Sequence, residues 1–150
     1  MEPIRPIGVI RSPRRELVNE GWGAITARIE LDPGVFQTSA TDGLTDYSHV
    51  EVVYAFHLSA RTCAADQHPR QNTAWPRTGI LAQRAPNRPN HIGVTICELV
   101  GAHALSLTVR GLDALDGSPL LDVKPYLREF APRGPVRQPG YTGELMRGYF

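Results

Sequence analysis

The amino-acid sequence predicts a mainly β chain: one small single-domain β-barrel over residues 1–150, with short helical segments and an extended tail from about residue 131. Three observations point there. Thirteen prolines and fourteen glycines interrupt the chain so often that no amphipathic stretch of helical length survives before its C-terminal end. Apolar and polar residues alternate at a period of two in several short runs, as on a half-buried sheet. At 150 residues and 41% hydrophobic content the chain can bury one core but not two. Short strands joined by Gly, Pro and Asp turns suit a sandwich or a barrel, and closure favours the barrel because it leaves no unpaired edge.

The elements follow in chain order. Residues 7–10 form a short first strand. In 24–31, Ile25, Ala27, Ile29 and Leu31 alternate with Thr26, Arg28 and Glu30, the clearest half-buried strand in the sequence. Residues 33–40 suit a short helix. The β-branched and aromatic run 49–58 predicts a strand buried on both faces. Residues 61–78 are polar and proline-bearing, an unusual length of loop inside a compact domain unless it covers a site. Residues 92–100 add a strand, and Leu105, Leu107 and Val109 alternate with Ser106, Thr108 and Arg110 in another. Residues 131–138, with two prolines and two arginines, read as an extended arm. Glu144, Leu145 and Met146 give 142–148 the propensity for a short helix.

Charge and cysteine usage exclude several function classes. A net charge of +1 is too small for non-specific nucleic-acid binding, which rewards clustered cations. Clustering does occur: Arg61, Arg70, Arg77, Arg84 and Arg88 fall in one stretch whose only acid is Asp66. This is either an anion-binding surface or a solvated loop whose arginines pair with acids elsewhere. Cys63 and Cys97 lack any CxxC spacing, so neither a disulfide framework nor a zinc site is expected, and a reduced, cytoplasmic setting fits. No basic start is followed by an apolar run, and no apolar stretch is long enough to span a bilayer, so neither secretion nor membrane insertion is expected.

Three segments carry chemistry. In residues 79–93, Pro86 and Pro89 fix their own φ and push Ala85 and Arg88 towards extended backbone, so Arg84 and Arg88 are stiffened before any ligand arrives. A guanidinium matches a carboxylate or phosphate bidentately, and Asn87 and Asn90 add polar contacts. The alternative is a proline-stiffened crossover whose arginines bind free carbonyls. In residues 111–126, Asp116-Gly117 marks a turn, while Asp113, Asp122, Lys124 and Tyr126 bring acids, a cation and a phenol close in sequence. Their spacing is not that of a calcium loop, and turn architecture outweighs a metal site. In residues 43–49, Asp46, Ser48 and His49 have the residue types of a hydrolase, but neighbours on an extended chain point in alternating directions. A strand-start histidine is the better reading for His49, and a strand-end one for His57.

Together the motifs carry a resemblance. Ile7-Gly-Val-Ile-Arg-Ser-Pro13, Gly43-Leu with Ser48-His49, the turn from Arg84 to Gly93, and Gly111-Leu-Asp-Ala-Leu-Asp-Gly through Asp122-Val-Lys-Pro-Tyr126 stand in the order and spacing of the TrmO/TsaA-like family, which the chain resembles from Pro6 to Tyr126. That family uses S-adenosylmethionine to methylate the exocyclic amine of a threonylcarbamoyl-modified adenosine beside the tRNA anticodon. The resemblance implies a β-barrel, commonly a homodimer, that binds the donor without a Rossmann fold. It places the donor near His57 and Leu58, against Arg84, beside Val94, and along Leu112, Asp113, Ala114 and Leu115. The loop before the second strand contributes in the family, which brings in Glu20, Gly21 and Trp22; the indole either stacks on adenine or packs.

The chain departs from the family pattern at Ala85, Asn87 and His91, and Gln67-His-Pro-Arg-Gln-Asn72 replaces a basic proline-rich loop common in the tRNA enzymes. It also stops soon after the barrel motifs, whereas some tRNA-modifying relatives carry a further C-terminal domain. These differences bear on the acceptor more than on the donor. Methyl transfer from a sulfonium needs positioning and water exclusion but no covalent nucleophile. Asp113 and Asp122 are the expected proton acceptors, Lys124 and Tyr126 the orienting groups, and Arg88 and Asn90 the substrate contacts, with Arg88 able to serve a partner subunit. The expected acceptor is tRNA. A small metabolite acceptor, or a non-catalytic S-adenosylmethionine-binding module, are the alternatives.

Overall fold

The computed structural model describes residues 1–60, 62–63 and 65–150, so Arg61 of the basic stretch lies outside the described residues. Period-two alternation builds β1 (Gly8–Arg11), β2 (Thr26–Leu31), β3 (His49–Ala55), β6 (Ile92–His103), β7 (Ser106–Arg110) and β8 (Pro119–Pro125), with a small pair β4 (Asp66–Gln67) and β5 (Thr78–Gly79) between β3 and β6. The six long strands close into a barrel in the order β1-β2-β7-β6-β3-β8, with every neighbour antiparallel.

Register puts the inward residues opposite one another. Ile10 faces Ile29, Ile29 faces Leu107, Ala27 faces Val109, and Val50 faces Cys97. All are buried. Each buried Ile, Leu or Val side chain is worth about 1.5–3 kcal/mol, so this interior is what closes the sheet. Leu112, Ala114 and Leu120 complete the core cluster from the loop and strand that follow β7.

Two register shifts bend the strands, one between Val53 and Tyr54 where β3 meets β8, the other between Leu99 and Gly101 where β6 meets β7. The first lies where Tyr54 crosses the barrel. Opposite it stands Gly93, where an added Cβ would come within 2.6 Å of the Tyr54 ring and 2.9 Å of the Phe56 ring. Tyr54 and Phe56 meet edge-on there, with ring centroids 5.4 Å apart. A glycine at 93 is what lets the Tyr54 ring lie across the barrel's interior.

Several sequence expectations need correction. Residues 49–58 do not form one doubly buried strand: β3 ends at Ala55, and only Val50, Val52 and Tyr54 are fully buried, because a single-layer barrel has just one inward face. Residues 33–40 hold turns and a 3-10 turn at Thr38–Thr41 instead of an α-helix, since Asp32 caps this bend by accepting the Gly34 N–H at 2.7 Å. The described residues of the 61–78 stretch are not structureless. β4 pairs with β5 inside it, and the Gln83 amide stitches it by donating to the carbonyls of Gln67 at 2.7 Å and Thr78 at 3.0 Å. The expected terminal helix is α1 (Tyr141–Leu145), shorter than residues 142–148. Strand β8 lies in the stretch the sequence presents as turns. Among the described residues no helix is long and apolar enough to cross a membrane.

Candidate active site

One end of the barrel is closed by the loop between β7 and β8. Gly111 (φ 84°) and Gly117 (φ 82°) sit in the left-handed region that favours glycine, and they mark where this loop leaves and rejoins the barrel. Their N–H groups donate to Ile25 O at 3.0 Å and Ile10 O at 2.8 Å. Asp116 binds the chain before β2 twice, its N–H donating to Arg14 O at 2.8 Å and its Oδ1 accepting from the Ser12 N–H at 3.1 Å. Leu112 and Ala114 turn inward and are fully buried. Between them Asp113 presents its carboxylate to a ring of hydroxyls.

That ring draws on three separate elements of the fold. Tyr54 donates to Asp113 Oδ1 at 3.0 Å, and its oxygen also lies 3.1 Å from the Asp113 carbonyl. Thr95, buried on the inner face of β6, donates to the same Oδ1. Tyr149 donates to Oδ2 at 2.7 Å. Burial, and then the negative charge of Asp113, raise the hydroxyls of Tyr54 and Tyr149 well above the ordinary tyrosine range. The Cys97 thiol is pushed up to about 12 by the same two causes in the same order. All three groups therefore keep their protons at neutral pH. The charges of Arg70 and Arg84 act on Tyr149 in the opposite sense, so one anion and two guanidinium groups share this end of the barrel.

The structure brings several sequence-predicted residues to this place. Arg84 donates to Val94 O at 2.7 Å, which joins two expected donor contacts directly. His57 Nδ1 lies 3.3 Å from Ser118 Oγ at the end of the Asp113 loop, and Leu58 beside it is 63% exposed. Leu115 is half-buried on the same loop. The 20–22 segment is held by Arg14, which donates to Glu20 O at 2.6 Å and Gly21 O at 3.3 Å. Trp22 packs: it is buried, donates to Val18 O at 2.7 Å, and has the Arg14 guanidinium 4.5 Å above its ring.

Other predicted residues stand elsewhere. Val123 packs against the core, so Asp122 and Lys124 point to the outer face of β8, where they pair with each other in the open. Tyr126 follows them, its N–H donating to His49 O at 3.0 Å. Arg88 donates to Gln83 O at 2.7 Å, and Arg77 pairs with Asp66 at 2.6 Å. Thus part of the basic stretch does serve carbonyls and a local acid. Asn90 is exposed with φ 65°. Ser48 Oγ and His49 Nδ1 meet at 2.7 Å on the exposed start of β3, away from the barrel mouth.

Sequence reasoning missed Tyr54, Thr95, Cys97 and Tyr149. For Thr95 a signal existed, since a hydroxyl on the inward register of an otherwise apolar strand needs a buried acceptor. Tyr149 gave none, because its neighbours reach Asp113 only through the tertiary fold.

Comparison with known proteins adds to this geometry. The family model described as the tRNA-methyltransferase O N-terminal domain matches residues 11–131. A probable S-adenosyl-L-methionine-binding protein of Methanothermobacter thermautotrophicus is 39% identical over 130 residues, covering 84% of this chain and 90% of that protein. The human tRNA (adenine(37)-N6)-methyltransferase is 37% identical over 99 residues, 65% of this chain but 22% of the relative. The crystal structure of TrmO from Pseudomonas aeruginosa superposes with a TM-score of 0.74 at 33% identity, covering 91% of this chain. This chain spans 61% of the length of that solved one.

Proposed function

The chain belongs to the tRNA-methyltransferase O N-terminal domain family, and from that premise we propose that it is an S-adenosylmethionine-dependent methyltransferase. Its acceptor in this reading is the exocyclic amine of a threonylcarbamoyl-modified adenosine next to the tRNA anticodon, which puts the reaction in the cytoplasm. The observation that carries the proposal is the Asp113 carboxylate, fixed by Tyr54, Thr95 and Tyr149 at a barrel end that also holds Arg70 and Arg84. The donor bears a cationic sulfur, an ammonium and a carboxylate. An anchored anion beside two guanidinium groups suits such a molecule in sign and in the separation of its charges.

When bound, S-adenosylmethionine supplies an electrophilic methyl group on its sulfur. The protein's work is to place the acceptor and keep water out. Asp113 would hold the positive end of the donor and Arg84 its anionic end, with the backbone of Val94 and residues 112–115 alongside and His57 and Leu58 at the edge. Glu20, Gly21 and Trp22 close the side next to α1's following residues. Asp122 takes the proton leaving the acceptor amine, with Lys124 and Tyr126 orienting that amine and Arg88 and Asn90 holding the RNA backbone. Since Asp122 and Lys124 lie on the outer face, these roles require a homodimer in which one barrel's outer face meets the next barrel's donor end. Ile96 and Val100, each 48% exposed on the outer face of β6, give that contact its apolar part.

A second reading, a small metabolite as acceptor, is favoured by one observation. Arg70 stands where the tRNA enzymes carry a basic loop, yet its guanidinium lies 5.9 Å from the centre of the Tyr149 ring. Incubation of the protein with methyl-labelled donor and either total tRNA or a metabolite extract separates the two. Label in an adenosine beside the anticodon is the expected result. Label in the metabolite pool alone overturns the tRNA acceptor, and donor binding without any labelled product leaves a binding module.

A further inference from the structure

The family match ends at residue 131, yet the barrel end around Asp113 is completed by residues beyond it. Gly21 N donates to Gly148 O and Trp22 N to Tyr149 O, both at 2.7 Å, so the 148–149 backbone runs alongside the 20–22 loop. Close approach continues at Gly23, where an added Cβ would stand 2.6 Å from the Phe150 backbone. The Phe150 ring meets Tyr149 edge-on, 4.9 Å between centroids. These contacts fix the backbone so that the Tyr149 hydroxyl lies 2.7 Å from Asp113 Oδ2.

Arg70, on the long loop between β4 and β5, has its guanidinium 5.9 Å from the centre of the same ring. It and Gln71 hold left-handed backbone, with φ of 49° and 58°. Non-glycine residues keep that conformation only where their surroundings impose it. Here the buried Pro69 and the Gln71 N–H, donating to His68 O at 2.9 Å, flank it. The long polar excursion after β3 is thereby tied to the terminal segment through a guanidinium on a phenol ring.

We propose that Tyr149 is a donor-positioning residue that acts through Asp113, and that Arg70 holds it in place. The inference rests on reading this barrel end as the methyl-donor site. From inside the barrel, Tyr54 and Thr95 occupy Oδ1. From outside, Tyr149 alone engages Oδ2 among the described residues. A carboxylate pinned at both oxygens cannot turn about its Cβ–Cγ bond, and the lone pair left on Oδ2 keeps one direction for a cationic ligand. Remove the outer hydroxyl and that direction is lost while the inner contacts remain.

Tyr149→Phe and Arg70→Gln in the full chain test this, with S-adenosylhomocysteine titrated by calorimetry and donor saturation followed in the methyl-transfer assay. Tyr149→Phe is expected to raise the donor KM and the Kd roughly 5- to 10-fold, less than the full worth of a hydrogen bond to a charged group because the lost bond orients Asp113 and does not touch the donor. Its kcat holds within about twofold, because Asp122 and the acceptor side are untouched. Arg70→Gln, on an exposed side chain that leaves folding intact, is expected to raise KM roughly 2- to 4-fold in the same direction. A purely structural role would lower the melting temperature and the active fraction without moving KM, and that result overturns the proposal. So does tighter binding in Tyr149→Phe, which would mean that the segment sits in the donor's place. If the unaltered protein binds no S-adenosylhomocysteine, the methyl-donor reading itself fails and this inference with it; binding there with unchanged variants sinks only the role of Tyr149.

Discussion

Two stretches of this chain set an aspartate among polar neighbours, and the fold treats them in opposite ways. Asp113, on the loop after β7, is turned to the barrel mouth and accepts hydrogen bonds from three hydroxyls carried by β3, β6 and the terminal segment. Asp122, on β8, faces outward and pairs with Lys124 two residues on, with 43% and 62% of their side chains exposed. In sequence the two look alike. Physically they do not, because an exposed ion pair is screened by water and contributes little, whereas a carboxylate held by half-buried hydroxyls is coupled to the packing of everything around it. In the proposed reading the donor end belongs to Asp113, and Asp122, on the outer face, meets an acceptor that arrives from outside.

The strongest way to break this contrast is Asp113→Asn. The amide offers one acceptor oxygen where the carboxylate offered two, so one hydroxyl of the cluster loses its acceptor. We expect a stability loss of about 3 kcal/mol, the scale of a lost charged hydrogen bond, read from urea unfolding. Donor affinity falls with it, by at least tenfold in calorimetry. Retention of both would place the donor elsewhere and reduce the hydroxyl ring to packing.

How much of this was legible beforehand follows from what kind of contact each part needs. The barrel was, since alternation at 24–31 and 105–109 depends only on which residues face one interior, and Ile29 and Leu107 do face it. Strand β8 was hidden because Asp122 and Lys124, being outward, made its alternation look like a polar turn. Arg84 and Val94 were expected near one ligand from motif likeness, and what the fold shows of them is a hydrogen bond between the two. Tyr149 was not, as its link to Asp113 spans 36 residues and passes through the backbone pairing of Gly21 and Trp22. Tyr54 was concealed for a simpler reason: a tyrosine on an apolar strand reads as core, and only the glycine opposite shows that its hydroxyl is carried across to the mouth.

A pH series sharpens the contrast more gently. The Cys97 thiol, ordinarily near 9.0, stands at about 12 in the fold. A folded value above the unfolded one contributes stability fully present below pH 9 and lost as pH rises from about 9 towards 12. The tyrosines Tyr54 and Tyr149 are shifted the same way, but from an ordinary value of 10.0, so their share is lost later. Urea unfolding at pH 8, 9 and 10 should therefore show declining stability, and Cys97→Ala should flatten the part between 9 and 10. Parallel curves for the two proteins would mean that folding does not raise the thiol.

The smallest stability effect belongs to Asp122→Asn, and its smallness is informative. An exposed pair of this kind is worth about 0.2–1 kcal/mol, and losing the acid leaves Lys124 solvated instead of stranded. The melting temperature should hardly move, and donor affinity should stay at the native value, since among the described residues no side-chain hydrogen bond joins Asp122 or Lys124 to the Asp113 ring. Turnover is another matter. If Asp122 takes the proton from the acceptor amine, kcat drops by a factor on the order of 100 with the donor KM unchanged, the reverse of the pattern expected for Tyr149→Phe. An Asp122→Asn protein with native turnover would remove the outer-face acid from the reaction and make Asp113, already bound by its hydroxyls, answer for both donor and proton.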